Sequence, residues 1–133
     1  MVIQLDPEFE DKQDKEEHIL SSFPDNELLE ITRVERKKKS DHRYIIHFGA
    51  YNMTVHEDVM IKYRMITGNS FMKSDLEEIV LADERQRAYV EGLKYLGLKP
   101  RTAQEMSRRL RQKEIGETII AETLQRLQRE QYI

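Results

Sequence analysis

Lys99-Pro100-Arg101-Thr102-Ala103-Gln104-Glu105-Met106-Ser107-Arg108-Arg109-Leu110 is the stretch that decides the fold. Pro100 sets a boundary, because the residue before a proline is steered away from helical backbone. Thr102-Ala103-Gln104-Glu105 is a capping box, in which two side chains satisfy backbone N–H groups that a helix start leaves unpaired. Such a cap is worth about 1 kcal/mol. The spacing therefore predicts a helix over 102–113. Ala103, Met106 and Leu110 fall on one face of it; Gln104, Arg108 and Arg111 fall on the opposite one. The stretch reads as a joint between two helices, the second with a basic outer face.

Toward the C-terminus, Gly116 punctuates and Ile120, Leu124 and Leu127 give the i, i+4, i+7 stripe of a last helix over 117–131. Before the joint, Tyr89, Leu93 and Leu96 predict a helix over 85–97. These three helices make a compact unit. Ser74-Asp75-Leu76-Glu77 is another capping box. The stripe it opens (Leu76, Ile79, Val80) is rotated from the Tyr89 stripe, with Asp83-Glu84 lying between them. Either the helix breaks there or its halves pack against different partners. A short helix is expected from Glu57 to Met65, stopping before Gly68.

Farther upstream, Ile31 to Arg36, Tyr44 to Phe48 and Tyr51 to Val55 carry β-branched and aromatic residues at strand-like spacing. Lys37 to His42 form the loop between the first two, and Gly49 offers the next turn. Residues 1–30 are polar, hold Pro7 and Pro24, and show no sustained apolar periodicity; a helix from about Asp11 to Leu20 and a mobile arm both stand open. The expected fold class is α+β: a small antiparallel β meander followed by an α-helical part ending in a three-helix repeat unit. The expected domains are an acidic arm over 1–30, the meander with its helices over 31–84, and the repeat unit over 85–133.

Composition narrows the function. The 133 residues are 35% charged and 38% hydrophobic, and none is cysteine, which excludes disulfide and thiolate chemistry and favours a reducing cytoplasm. No signal peptide and no apolar run of bilayer length is found. The net charge of −3 hides an asymmetry. Residues 1–30 hold ten acids against Lys12 and Lys15, and the remainder carries a net +5. Such an asymmetry suits contact with nucleic acid, or with something that sits on it, although both charge sets also simply solvate a surface.

Enzyme chemistry finds no foothold. His18, His42, His47 and His56 lack paired metal-ligand spacing, and His47 in an apolar strand reads as a packed or edge histidine. The five glycines make no phosphate-cradling loop. No carboxylate sits among apolar residues with a partner, as a tuned acid or base would. No enzyme, metal site or cofactor is expected. A groove-reading helix-turn-helix is the weaker interpretation too, because the second helix begins Gly116-Glu117-Thr118 and carries Glu122, which pairs with Arg126 at i, i+4.

Two basic groups remain as candidate partner- or DNA-binding residues. Arg101, Arg108, Arg109, Arg111 and Lys113 lie within thirteen residues, opposed in that stretch only by Glu105. Arg36, Lys37, Lys38 and Lys39, with Arg43 following, reach phosphates or an acidic protein face. The plainer alternative for this second group is a solvated hairpin loop whose lysines discourage edge-to-edge aggregation.

Residues 88–133 resemble a tandem-repeat unit of the RecX family, the regulators of the RecA recombinase. The matching elements are Leu93 to Leu96, Pro100-Arg101, Thr102-x-x-Glu105-Met106, Arg108-Arg109-Leu110, Ile120…Leu124…Leu127 and Tyr132-Ile133. Ile31 to Tyr95 is similar to the segment ahead of the repeats in longer Gram-positive members, notably at Val55-His56-Glu57-Asp58-Val59 and Ile61-Lys62-Tyr63. Met106 replaces the family's usual leucine, a volume-conserving swap. Members carry three such repeats, whereas this chain stops after the first, so it looks like an N-terminal fragment or a natural short form. Leu124, Leu127, Tyr132 and Ile133 are then expected to be partly uncovered, allowing self-association there. The resemblance implies a non-enzymatic, cytoplasmic regulatory protein of DNA repair, recombination and the SOS response. It implies binding to the RecA filament and restraint of its ATPase, strand-exchange and coprotease activities. The alternatives are a general nucleic-acid-binding helical domain and a structural adaptor.

Overall fold

The computed structural model describes residues 19–39 and 42–133. The chain divides into two compact units between Asp83 and Glu84. The strands are β1 (Leu29–Glu30), β2 (Arg33–Arg36), β3 (Arg43–Phe48), β4 (Tyr51–His56) and β5 (Ser70–Phe71). The helices are α1 (Glu57–Lys62), α2 (Lys73–Leu96), α3 (Ala103–Gln112) and α4 (Glu117–Arg129). The architecture is mixed α+β, as its alternating and helical periodicities predict.

In the first unit β2, β3 and β4 form the antiparallel meander, with Val34 opposite Ile46 and Ile46 opposite Met53. Pairing of Phe48 with Tyr51 leaves a two-residue turn, and Gly49 takes its first central position at φ 69, where a hairpin turn favours glycine. A second antiparallel pair joins β1 to β5. Ile46, Phe48, Met53 and Val55 turn into a core with Ile31, Val59, Met65, Leu76 and Ile79. Each apolar side chain buried there contributes about 1.5–3 kcal/mol.

Residues 1–18 of the expected arm lie outside the described residues. Residues 19–30 are built into the fold: Leu20, Phe23 and Leu29 are buried. The Phe23 ring sits 5.9 Å from Phe48, edge to face, and 5.2 Å from Tyr51. Three apolar anchors spaced irregularly carry no periodicity, which is why a polar segment conceals them.

The helix after the strands ends at Lys62 rather than Met65. Arg64 turns left-handed at φ 52, and Met65 donates its N–H back to the Met60 carbonyl at 2.9 Å. This is a Schellman stop with buried Met65 as its apolar anchor. α2 begins one residue before the expected serine cap. Ser74 lies inside the helix, and Asp75 accepts the Met72 N–H at 2.9 Å. The helix does not break at Asp83-Glu84. Leu76, Ile79 and Val80 serve the first core, while Ala88 with partly buried Tyr89, Leu93 and Leu96 serves the second.

The second unit, over 84–133, is three helices on one core of Ala88, Met106, Leu110, Ile115, Ile119, Ile120 and Leu127. Thr102 caps α3 with both halves of the box formed: it accepts the Glu105 N–H at 3.1 Å, and Glu105 accepts its N–H at 3.2 Å. α3 and α4 both end in Schellman stops, with Glu114 at φ 64 and Gln131 at φ 65. Gly92 permits close helix approach, since a Cβ there would stand 3.3 Å from Leu127 Cδ1 and 3.4 Å from Met106 Sδ. Leu127 is fully buried, contrary to the expected uncovered end. Tyr132 is half exposed, while Leu124 and Ile133 are partly buried against the core.

Candidate functional site

The two basic groups meet different fates. In the helical group, Arg101 is largely enclosed: its guanidinium stacks 3.7 Å from the Tyr95 ring centroid, and its Nε donates to the Tyr95 carbonyl at 3.4 Å. Cation–π stacking at such depth fixes the side chain in place. Arg109 lies over the same ring at 5.2 Å and pairs with Glu91 at 3.2 Å. Lys113 reaches Glu91 at 3.9 Å. Arg111 clasps Glu117 through two nitrogens at 2.7 and 3.2 Å, and also donates to Ser107. Arg108 is exposed and pairs with no acid among the described residues.

Within residues 101–113 only Glu105 opposes the cations, yet α2 supplies Glu91 and α4 supplies Glu117. Helix packing brings these acids in, and no reading of one segment could see them. Glu122 likewise pairs with Arg85 at 2.8 Å rather than with Arg126. Arg126 stacks 3.4 Å from the Tyr89 ring and bonds to Glu130 at 3.0 Å. The Tyr89 hydroxyl donates to Glu130 at 2.5 Å, which pushes the Tyr89 pKa up and the Glu130 pKa down.

In the sheet group, Arg36, Lys37, Lys38 and Lys39 are exposed at the β2–β3 hairpin, and Lys39 adopts φ 66. Arg43 belongs to the interior instead. Its two terminal nitrogens meet the two Asp83 oxygens at 3.1 Å each, and one also donates to the Thr54 carbonyl at 3.4 Å. Asp83 accepts the His56 N–H at 2.7 Å as well. Glu84 is buried, and its Oε1 accepts the Gly116 N–H at 3.0 Å. Asp83 and Glu84 thus correct the expectation that no carboxylate sits among apolar residues with a partner. Their partners lie 40 and 32 residues away, so the local sequence hides them.

Among the described histidines, exposed His42 pairs with Glu57 at 3.1 Å, while His47 and His56 serve packing and capping. His47 Nε2 lies 2.9 Å from Glu35 Oε1, and that hydrogen bond holds the Glu35 carboxyl below its usual range. His56 Nδ1 accepts the Asp58 N–H at 3.0 Å, capping α1. No group of three metal-ligating side chains forms among the described residues. No helix among them is long and apolar enough to cross a membrane.

A small antiparallel sheet unit and a three-helix unit with a charged outer surface define the class: a three-helix domain carried behind a β-containing segment. The family model described as "RecX, first three-helix domain" matches residues 88–127. Proteins named "Regulatory protein RecX" from Bacillus cytotoxicus, Bacillus cereus and Bacillus mycoides are each 32% identical over 108 residues, which is 77% of this chain and 40% of each relative. The crystal structure of a regulatory protein RecX superimposes with a TM-score of 0.65 at 26% identity, covering 79% of this chain and 52% of that one. In sequence and in fold, the RecX family is what this chain resembles. The chain spans about 40% of the length of these curated relatives.

Proposed function

We propose that this chain acts as a non-enzymatic, cytoplasmic regulator that binds the RecA recombinase, assembled on single-stranded DNA, and restrains its ATP hydrolysis, strand exchange and coprotease activity. The observation that carries this reading is the match of residues 88–127 to the first three-helix domain of RecX. In this reading residues 85–133 are the repeat unit that meets the filament, and residues 31–84 are an accessory unit. Arg108 and the Arg36 to Lys39 hairpin supply the accessible cations. Arg101 and Arg43 each brace the interior of their own unit, and Arg109, Arg111 and Lys113 contribute from within ion pairs. Half-exposed Tyr132 supports self-association through the C-terminal end, which sedimentation at rising concentration tests.

The test is a titration into recombinase filaments on single-stranded DNA, following ATP hydrolysis with filament binding read in parallel. Inhibition with binding is expected. Absence of both, alongside tight binding to bare DNA, would favour the alternative of a general nucleic-acid-binding domain, whose affinity falls steeply as salt rises.

A further inference from the structure

Glu91 and Glu117 hold three of the four cations between positions 108 and 113. Glu91 takes Arg109 at 3.2 Å and Lys113 at 3.9 Å, and Glu117 takes Arg111 at 2.7 Å. The Glu117 side chain is 59% exposed, so water screens its pair and leaves it little effect on stability, while that of Glu91 is 22% exposed and half-buried beside Arg109. Both carboxylates also lower the positive field outside this surface. Arg108 alone in this run has no acid partner among the described residues.

A flexible polyanion gains affinity by bringing phosphates to cations and releasing condensed counterions. A cation already holding a carboxylate releases fewer, and the displaced carboxylate repels the incoming phosphate. A folded protein can instead present acceptors to the arginines and donors to the glutamates at fixed positions. Specificity of this kind comes from penalising the wrong partner.

We propose that Glu91 and Glu117 are specificity determinants: they set the α3 surface against bare single-stranded nucleic acid and reserve it for a folded protein partner. This rests on the regulator reading and names how that surface tells a filament's protein from a bare strand.

The test uses the full chain and a labelled oligothymidylate across a salt series. The Glu91→Gln/Glu117→Gln variant should bind about 3–10-fold more tightly than the parent at low salt. Its salt slope should steepen by about 0.7 for each cation released. Glu122→Gln removes one negative charge, as Glu117→Gln alone does and half of what the double variant removes, from a pair with Arg85 outside α3, and should shift affinity by less than about twofold. Unchanged affinity and slope in the double variant would overturn the proposal, as would equal tightening in Glu122→Gln. Glu117→Gln alone alters an exposed side chain and decides the same question at Arg111 if the double variant fails to fold. Filament binding by the parent chain is measured alongside. Its absence sinks the regulator reading, while the oligonucleotide result still decides this one.

Discussion

Glu84 caps a helix that begins 32 residues farther along the chain, its Oε1 accepting the Gly116 N–H at 3.0 Å. Gly116 is the N-cap of α4 and has no side chain to accept an N–H of the first helical turn. The carboxylate also sits at the positive end of the helix dipole. Glu84 Oε2 is buried with no hydrogen-bond partner among the described residues, so the single bond carries the arrangement. Glu84→Ala should lower stability by about 1–2 kcal/mol in chemical denaturation. Gly116→Ser should restore part of that loss in the Glu84→Ala background. Position 116 already has the extended backbone of a cap, at φ −67 and ψ 151, and a Cβ there meets only ordinary contacts. Failure of serine to rescue would mean that Glu84 acts by filling space.

Arg43 is expected to behave as an interior residue. Arg43→Met leaves the Asp83 carboxylate buried with only the His56 N–H, which should cost about 3 kcal/mol. Arg43→Met/Asp83→Leu should recover much of that loss, because it removes the uncompensated charge. Urea midpoints of the two variants decide this. A single variant as stable as the parent would return Arg43 to the surface.

The stop of α1 places a non-glycine residue in the left-handed region, Arg64 at φ 52. Relief of its Cβ strain should make Arg64→Gly stabilising by up to about 1 kcal/mol, less the entropy that glycine adds to the unfolded chain. The thermal midpoint should rise. A fall would show that the arginine side chain contributes more than its backbone strain removes.

Acid should loosen the start of α3. The backbone N–H of Thr102 holds the Glu105 carboxyl below its ordinary value of 4.5. A carboxyl lowered in the folded state adds stability above its unfolded pKa, and that stability is lost as pH falls through the lowered value. Glu35, bonded to His47, and Glu130, bonded to the Tyr89 hydroxyl, act with the same sign. Glu105→Gln should therefore reduce the loss of thermal midpoint between neutral pH and about pH 3 without abolishing it. An unchanged acid profile would remove Glu105 from the account.

Much of this fold is written locally. The Thr102 capping box, the Gly49 turn and the alternation through β3 and β4 each follow from neighbouring residues, and each forms as read. What local reading misses is of one kind: partners brought from elsewhere. Glycines are the usual signal for a helix end, but the chain uses Arg64, Glu114 and Gln131, whose stops are made by the apolar residues that follow them. Asp83 and Glu84 resemble a polar interruption because Arg43 and Gly116 are remote in sequence. The candidate surface shows the same pattern. Five cations stand out in the sequence, but only packing reveals that Glu91 and Glu117 answer three of them.

That division makes Arg108 the sharpest probe of the surface. Arg101 stacks on Tyr95 and is largely enclosed, so reversing its charge should unfold the joint before it reports on binding. Arg108 is exposed on the opposite side of α3 from Met106 and Leu110, both fully buried. Its charge can change with the core untouched, and surface changes of this sort stay within about 0.5 kcal/mol. Arg108→Glu should leave the thermal midpoint nearly in place while weakening filament binding and flattening its salt dependence, since a cation at an anionic interface acts through both. Filament affinity equal to the parent's across the salt series would take the helical surface out of the contact and leave the Arg36 to Lys39 hairpin as the cationic element to test.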